Sequence, residues 1–480
     1  MKKNSVVHNI VQGWNVEAKL EDSKYFFMYK EVQAILNNRK CYVIGRKGAG
    51  KSAICNYITS IKEYNVFSSK LSFKAFRVNA MYGLEDTSFK HPNQYITIWK
   101  YIIYSNVLKL MVQNHAVEQS VRTELEKIYP KVSIKNLASE VSEWTSVEFG
   151  INILGNGGSL KVNKNKLKGA TNWKDYVDVM EDIIINYCGR AKYYIVFDEL
   201  DDDYKDVTLN QEFKAYKELL TSLFKAVQDV KSVLSKERGF NIMPVIFLRN
   251  DIYAHIKDAD KNKWDDLSIE LEWDTDKLKQ LLAFRISQDD PIRNGAPDFE
   301  KEWHRIFSNE PIHTGLGRRK LMHTFDYMAN STLLRPRDFI KFIKACCEEV
   351  VDVQEFVTPK ILHHVDRAFS NYLKQEFRDE LYPILPDIDR IFDVMSYQRQ
   401  WIFSPDSFKD VYLKEMQLGN IKEPNVDKVL ETLYNFSVIG VVNKNNESKH
   451  YFKYINTNMA YNRYEKIVIH RGLFKALGVE

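Results

Sequence analysis

Residues able to do chemistry gather first at positions 45–52. Gly45-Arg46-Lys47-Gly48-Ala49-Gly50-Lys51-Ser52 follows an apolar strand pattern, Cys41 to Ile44. It precedes a helical pattern in which Ile54, Ile58 and Ile61 recur. The spacing G-x-x-x-x-G-K-S in a strand–loop–helix context is that of a P-loop. Glycines let backbone N–H groups approach phosphate oxygens closely, and the start of a helix favours negative charge. Gly45, Arg46, Lys47, Gly48, Ala49 and Gly50 are therefore expected to wrap a nucleoside triphosphate. Lys51 reaches its β- and γ-phosphates, and the Ser52 hydroxyl ligates Mg²⁺.

Three further groups belong to the same chemistry. Tyr193-Tyr194-Ile195-Val196-Phe197 runs into Asp198-Glu199, an apolar strand ending in acids, which is the Walker B pattern. Asp198 is expected to hold Mg²⁺ through water, and Glu199 to orient or deprotonate the attacking water. Asp201, Asp202 and Asp203 read as a solvated turn or helix start. A second buried strand, Val245 to Leu248, ends in Arg249-Asn250. In P-loop folds with a catalytic glutamate this strand lies between the other two, so Arg249 or Asn250 is expected to sense the γ-phosphate. In Leu333-Leu334-Arg335-Pro336-Arg337, Arg335 or Arg337 opens a helix carrying Phe339, Ile340 and Ile343. An arginine there couples nucleotide state to the position of a lid. Arg285 and Arg318-Arg319-Lys320 are weaker candidates for phosphate contacts in trans, since most such charges are simply solvated. His304, His313, His323, His363 and His364 lack metal-ligand spacing and read as structural or surface residues.

The elements that must position these groups follow from periodicity. Residues 1–40 read as polar and helical, with Phe26, Phe27 and Val32 on one side. Strands are expected at Ser72–Val78 and Leu267–Leu271, one long helix over 94–128 with Tyr95, Ile98, Trp99, Ile102 and Ile103 as its buried stripe, and another over 211–235. Strands alternating with helices around a P-loop imply a mostly parallel α/β sheet. From about 275 the strands stop and helices continue to 380. After Pro383, three helices near 387–398, after Ser404-Pro405 and at 425–436 precede a hairpin of Val438–Val442 with Tyr451–Ile455, a winged-helix pattern. The expected fold is thus α/β: a P-loop NTPase core at 1–274 with an insertion at about 84–170, a helical lid at 275–382 and a winged-helix-like domain at 383–480. Within the insertion, Gly150 to Gly169 is rich in glycine and lysine and turns at Asn156-Gly157. It reads as a solvated surface loop or as a mobile basic finger that touches nucleic acid or a partner.

Bulk properties narrow the classes. A chain of 480 residues exceeds one ordinary core. A net charge of +5 is far from that of a nucleic-acid arm. No apolar run reaches the roughly 18 residues a membrane helix needs, and the start, MKKNSVVHNIVQGWN, lacks the apolar core of a signal peptide. The five cysteines form no framework, with Cys346 and Cys347 adjacent, which fits a reducing compartment. The cytoplasm is expected, with no membrane partner. No guanine-specifying N-K-x-D follows the Walker B strand, so the expected cofactors are ATP and Mg²⁺.

Taken in order, IGRKGAGKSAI, FDELDD, FLRNDIY and LLRPRDFI, with a terminal unit ending IHRGLFKAL, resemble AAA+ and STAND ATPases of the origin-recognition type. The chain looks most like a bacterial branch of uncharacterised P-loop ATPases. In that class the arginine ending the sensor strand matches Arg249, and the lid arginine matches Arg335 or Arg337. Such proteins act as nucleotide-driven switches or assemblies, and many bacterial relatives sit in anti-phage gene clusters, so the resemblance implies defence. A typical STAND protein carries a sensor array or a fused effector; this chain shows neither, which implies a separate sensor or effector subunit and self-assembly. The expected function is therefore an ATP-hydrolysing switch working with a partner protein. The alternatives are a DNA-binding ATPase (initiator, loader or transposition factor) and a nucleotide-dependent scaffold with negligible turnover. The helix at 425–436 presents Asp427, Lys428, Glu431, Thr432 and Asn435, a slightly acidic face that suits protein at least as well as a DNA groove.

Overall fold

Near its N-terminus the chain forms α1 (Ser5–Gly13), capped by Asn4, whose carboxamide oxygen accepts from Val6 and Val7 N–H. Val6, Val7, Ile10 and Trp14 are buried in one apolar cluster with Leu278, Trp303, Phe325, Phe339 and Phe369. The structure, a computed structural model, describes residues 4–72, 93–129, 173–200, 211–234, 239–289, 296–314, 320–350 and 355–479. It divides into two units, one of residues 28–272 and one of residues 1–27 with 273–480. This corrects the expected core of 1–274. The first 27 residues carry an apolar face whose partners lie some 270 positions or more downstream, a pairing that local periodicity does not reveal.

The 28–272 unit opens with α2 (Lys30–Leu36) and continues through β1 (Tyr42–Gly45), α3 (Lys51–Ser60) and β2 (Val66–Ser72). Next come α4 (Ile96–Gln113), α5 (Gln119–Ile128), α6 (Trp173–Tyr187), β3 (Lys192–Asp198) and α7 (Gln211–Val233). It ends with β4 (Asn241–Arg249), α8 (Asn250–His255), α9 (Lys261–Asp265) and β5 (Ser268–Glu270). The five strands form one all-parallel sheet in the order β2-β3-β4-β1-β5. The central strands are continuous apolar runs, as strands covered on both faces must be. Tyr193, Ile195 and Phe197 join the cluster made by α4, α6 and α7, while the alternate positions Tyr194 and Val196 are buried on the opposite face.

Two expectations about this unit change. The second strand ends at Ser72 instead of beginning there; residues 73–78 lie outside the described residues. Among the described strands it is the sheet's edge, and the alternation of Val66-Phe67-Ser68-Ser69-Lys70-Leu71-Ser72 is too polar to announce it. The long helix over 94–128 is two helices, broken where Asn114 turns its carboxamide to the Tyr193 hydroxyl (2.7 Å) and to Ala116 N–H (2.9 Å). Helix α4 is buried all round, not along a stripe, with Asn106 and Ser105 inside as well. The basic segment at 130–170 and Asp201–Asp203 lie outside the described residues.

The other unit contains α10 (Thr275–Ser287), α11 (Phe299–Trp303), a ribbon of β6 (Ile312–Thr314) and β7 (Lys320–Met322), α12 (Thr324–Ser331), α13 (Pro336–Glu348) and α14 (Pro359–Leu381). The ribbon corrects the purely helical expectation; three-residue strands are too short to show a period. Beyond it lie α15 (Ile388–Tyr397), β8 (Ile402–Phe403), α16 (Pro405–Gln417), α17 (Val426–Asn435), β9 (Ile439–Asn443), β10 (Asn446–Tyr451), β11 (Ile467–Ile469) and α18 (Phe474–Leu477). Ser404 caps α16 by accepting from Ser407 N–H, with Pro405 at the first helical position. The sheet runs β10-β9-β11-β8. The expected second strand therefore shifts from Tyr451–Ile455 to Asn446–Tyr451, because Asn443 closes a tight turn by accepting from Asn445 and Asn446 N–H. No helix among the described residues is long and apolar enough to cross a membrane.

Arg285 ties the N-terminal segment down. Its guanidinium, 4% exposed, sits 2.9 Å from Glu21 Oε1 and stacks over Trp14 at 4.6 Å and Tyr25 at 5.0 Å. That is a structural role, neither a solvated charge nor a phosphate contact in trans. Trp14→Ala should destabilise the unit of 1–27 and 273–480 by about 3–5 kcal/mol. Urea unfolding followed by limited proteolysis checks this: that unit should be cleaved at lower urea, and the 28–272 unit should keep its own midpoint.

Candidate functional site at the carboxyl end of the parallel sheet

The loop between β1 and α3 is built on backbone geometry that only glycine adopts freely. Gly48 has φ 79° and Gly50 φ 98°, both left-handed. Gly50 is the residue from which α3 starts. Gly45 needs its small size instead, since a Cβ there would lie 3.0 Å from the Cβ of Leu271 and 3.4 Å from that of Ala49. The loop closes through Ala49 N–H to Arg46 O, 3.1 Å. Lys51 Nζ lies within the curl and donates to Gly45 O (2.8 Å) and Arg46 O (3.0 Å). Ser52, the next residue of α3, is half-buried.

Sheet order brings the second group to the same end. Strand β4 runs between β1 and β3, as expected for the sensor strand, with Arg249 opposite Gly45. Asp198 ends β3 opposite Ser72, the last residue of β2. The Asp198 side chain is almost fully buried, and its Oδ2 makes no aligned hydrogen bond. Lys70, two residues back on β2, places Nζ 2.8 Å from that oxygen and 3.4 Å from Asn56 Oδ1 on α3. Burial works against the charge of Lys70, but Asp198 outweighs it and holds the ammonium above its ordinary pKa. Sequence reasoning missed Lys70, since its significance depends wholly on the β2–β3 register.

Glu199 follows in a left-handed conformation, φ 59°, uncommon for a residue with a long side chain. Glu199 Oε2 accepts a hydrogen bond from the Ser72 hydroxyl. Arg249, also buried, donates from Nε to Asp251 Oδ1 at 3.0 Å and from its terminal nitrogen to Oδ2 at 2.6 Å. Asn250 begins α8 and accepts from Asp251 N–H at 3.0 Å. The structure thus gathers Gly45–Ser52, Asp198, Glu199, Arg249 and Asn250 at one end of one sheet.

The remaining arginines lie in the other unit. Arg335 is buried and bonded by two nitrogens to Asp338, at 3.0 Å each, and to Glu380 at 3.2 Å. Burial opposes its charge, but the two carboxylates override that and raise its pKa. Arg337 is more accessible and sits 3.4 Å from Glu17 and 3.5 Å from Glu376. Arg318 and Arg319 lie outside the described residues.

The donor set at the sheet end fits a divalent cation of the Mg²⁺ type. Asp198 offers a buried carboxylate whose oxygen has the Lys70 ammonium 2.8 Å away, and Mg²⁺ prefers hard oxygen ligands. A second convergence, Glu300 with His304 and His323, is not ligand-like. His323 Nδ1 accepts from Phe325 N–H at 3.2 Å as the cap of α12, which places the ring proton on Nε2, 3.6 Å from Glu300. A metal at Nε2 would need that proton on Nδ1, against the Phe325 N–H.

Comparisons with known proteins reach part of the chain. Residues 276–378 match the family described as the FunZ-associated C-terminal helical domain. No curated protein matches the sequence. Among solved structures, the Aeropyrum pernix Orc1 protein in complex with DNA is similar over 99% of this chain and 96% of that one, at 8% identity and a TM-score of 0.36. A likeness at that TM-score carries no weight for function.

Cysteine chemistry is excluded from the site by burial. All five thiols are free and buried. Desolvation pushes Cys41 and Cys188 up to about 12 and raises Cys55, on α3 beside Asp198, as well. Each is a protonated thiol at neutral pH. With a thiol-reactive dye at pH 8, the native chain should react slowly or not at all, and denaturation should release five thiols; a fast-reacting thiol in the native protein would contradict this assignment.

Proposed function

We propose that this chain is an ATP-binding and ATP-hydrolysing switch that acts with a partner protein, with a role in bacterial anti-phage defence. The observation that carries the ATPase reading is the strand order. Placing β4 between β1 and β3 sets the glycine loop, an acid pair and a polar strand tip at one end of a parallel sheet. The backbone N–H groups of Gly45–Gly50 and Lys51 would hold the phosphates. Ser52 and Asp198 would hold Mg²⁺, which when bound neutralises phosphate charge. Glu199 is the acid positioned to orient or deprotonate a water, its carboxylate fixed by Ser72. Arg249 and Asn250 are the sensor residues of this reading. In the helical unit, Arg335 is committed to Asp338 and Glu380 and Arg337 to Glu17 and Glu376, and either is the lid arginine of this reading.

A protein partner is favoured over nucleic acid by the charge of the last unit, which we read as winged-helix-like. On α17 and its neighbours, Lys428 pairs with Glu423 at 2.8 Å, and Asp427 pairs with Lys409 at 2.8 Å. The defence role and self-assembly rest on the resemblance of the four motifs to the AAA+ and STAND class, and the cytoplasmic setting on the cysteine usage and on the character of the first residues.

Glu199→Gln should reduce phosphate release by about 100-fold or more, the scale of losing a positioned general base, while ATP binding is retained. Malachite-green turnover beside a fluorescent-nucleotide titration separates the two. Turnover unchanged in that variant would sink the hydrolytic assignment, and absence of nucleotide binding in the native chain would sink the whole reading.

A further inference from the structure

The pairing of Lys70 with Asp198 goes beyond the motifs. Lys70 lies on β2, the edge strand, opposite Val196; Ser72 lies opposite Asp198. Alternation along the strand puts Lys70 and Ser72 on one face, and the Lys70 contact to Asn56 identifies it as the face that α3 covers. Nζ is 2.8 Å from Asp198 Oδ2, with side-chain exposures of 23% and 3%. Such a buried carboxylate requires a cation beside it. A divalent ion held by Asp198 would require the region of that same oxygen, and two cations cannot share it without strong repulsion in a desolvated setting. The lysine has a second acceptor nearby, Asn56 Oδ1 at 3.4 Å, on the helix that begins in the phosphate loop.

We propose that Lys70 is a built-in counter-cation: it neutralises Asp198 before a divalent ion binds and is displaced toward Asn56 when the ion–nucleotide complex enters. Lys70 is thus a positioning residue that sets how much Mg²⁺ the site requires, and this rests on the nucleotide-site reading above. Removing its charge has opposite effects under two conditions. Without divalent ion, Asp198 is left uncompensated beside the phosphates and nucleotide binding weakens. With divalent ion, the competitor is gone and less Mg²⁺ is needed.

The test uses the full chain and a fluorescent, slowly hydrolysed ATP analogue, titrated in EDTA and across a Mg²⁺ series. Lys70→Met keeps the length of the stem and removes the charge; Lys70→Gln is the second variant should the first fail to fold by circular dichroism. Either should bind the analogue about tenfold more weakly in EDTA and reach half-saturation at about tenfold less Mg²⁺, as expected for one buried charge. Lys70→Arg should stay near the native protein in both. An unchanged Mg²⁺ half-saturation, or both quantities moving together as a damaged fold would cause, overturns the inference and leaves the nucleotide site standing. If the native chain binds no analogue under either condition, the nucleotide-site reading fails and takes this inference with it.

Discussion

A carboxylate at the end of a buried parallel strand cannot be left without a cation. Asp198 has almost no solvent to spread its charge into, and an isolated ion in such a setting costs several kcal/mol even after relaxation. The surrounding elements answer that cost. The β2 strand lies in register beside β3, so Lys70 reaches Asp198 from the side. Strand β4 is interposed before β1, so the lysine of the glycine loop comes from two strands away. The ammonium paired with Asp198 is that of Lys70. Lys51 instead bonds the carbonyls of its own loop. The two ammonium groups therefore have different partners, Lys70 the acid and Lys51 the carbonyls of its own loop.

Consecutive acids can then have separate tasks. Asp198 and Glu199 are neighbours in sequence, and in a regular strand they would point to opposite faces. The left-handed turn at Glu199 instead redirects its side chain to Ser72, at the outer edge of the same sheet end. Such a conformation costs on the order of 1–3 kcal/mol unless its surroundings hold it. The buried β3 strand on one side and the Ser72 hydroxyl on the other provide that support. One acid thus faces a cation and the next accepts from a neutral hydroxyl.

What could be read in the chain beforehand depended on the range of the interaction. The glycine loop, the helix after it and the Ser404-Pro405 cap are local devices whose residue types are dictated by φ, by orphan N–H groups and by close approach, and each stands where its residues announce it. The strands β1, β3 and β4 were legible because continuous apolar runs have few other uses. Lys70 was not, because a lysine on a polar edge strand has no distinctive spacing; only the register with β3 gives it Asp198. Trp14 and Arg285 were illegible for the same reason at longer range, each completing an environment supplied from the other end of a 1–27 and 273–480 unit. His323 shows the converse. Its type invites a metal reading, and the cap bond to Phe325 N–H gives it a plainer use.

Charge also governs what the last unit can recognise. Between residues 405 and 435 there are six acids and four lysines. Lys409 and Lys428 already face Asp427 and Glu423. Exposed pairs of this kind are worth about 1 kcal/mol or less, so a phosphate could in principle displace them. The obstacle lies earlier in the encounter. Binding to a polyanion gains from steering and from the release of counterions by unspent cations, and a surface whose local charge is negative offers little of either. Apolar and hydrogen-bonding contacts do not depend on that field. Exposed Leu413 and Leu418 on and beside α16, with 40% and 71% of their surface in solvent, add apolar area where a nucleic-acid surface would carry arginine or lysine. Helices α16 and α17 are accordingly better suited to a protein surface than to a duplex.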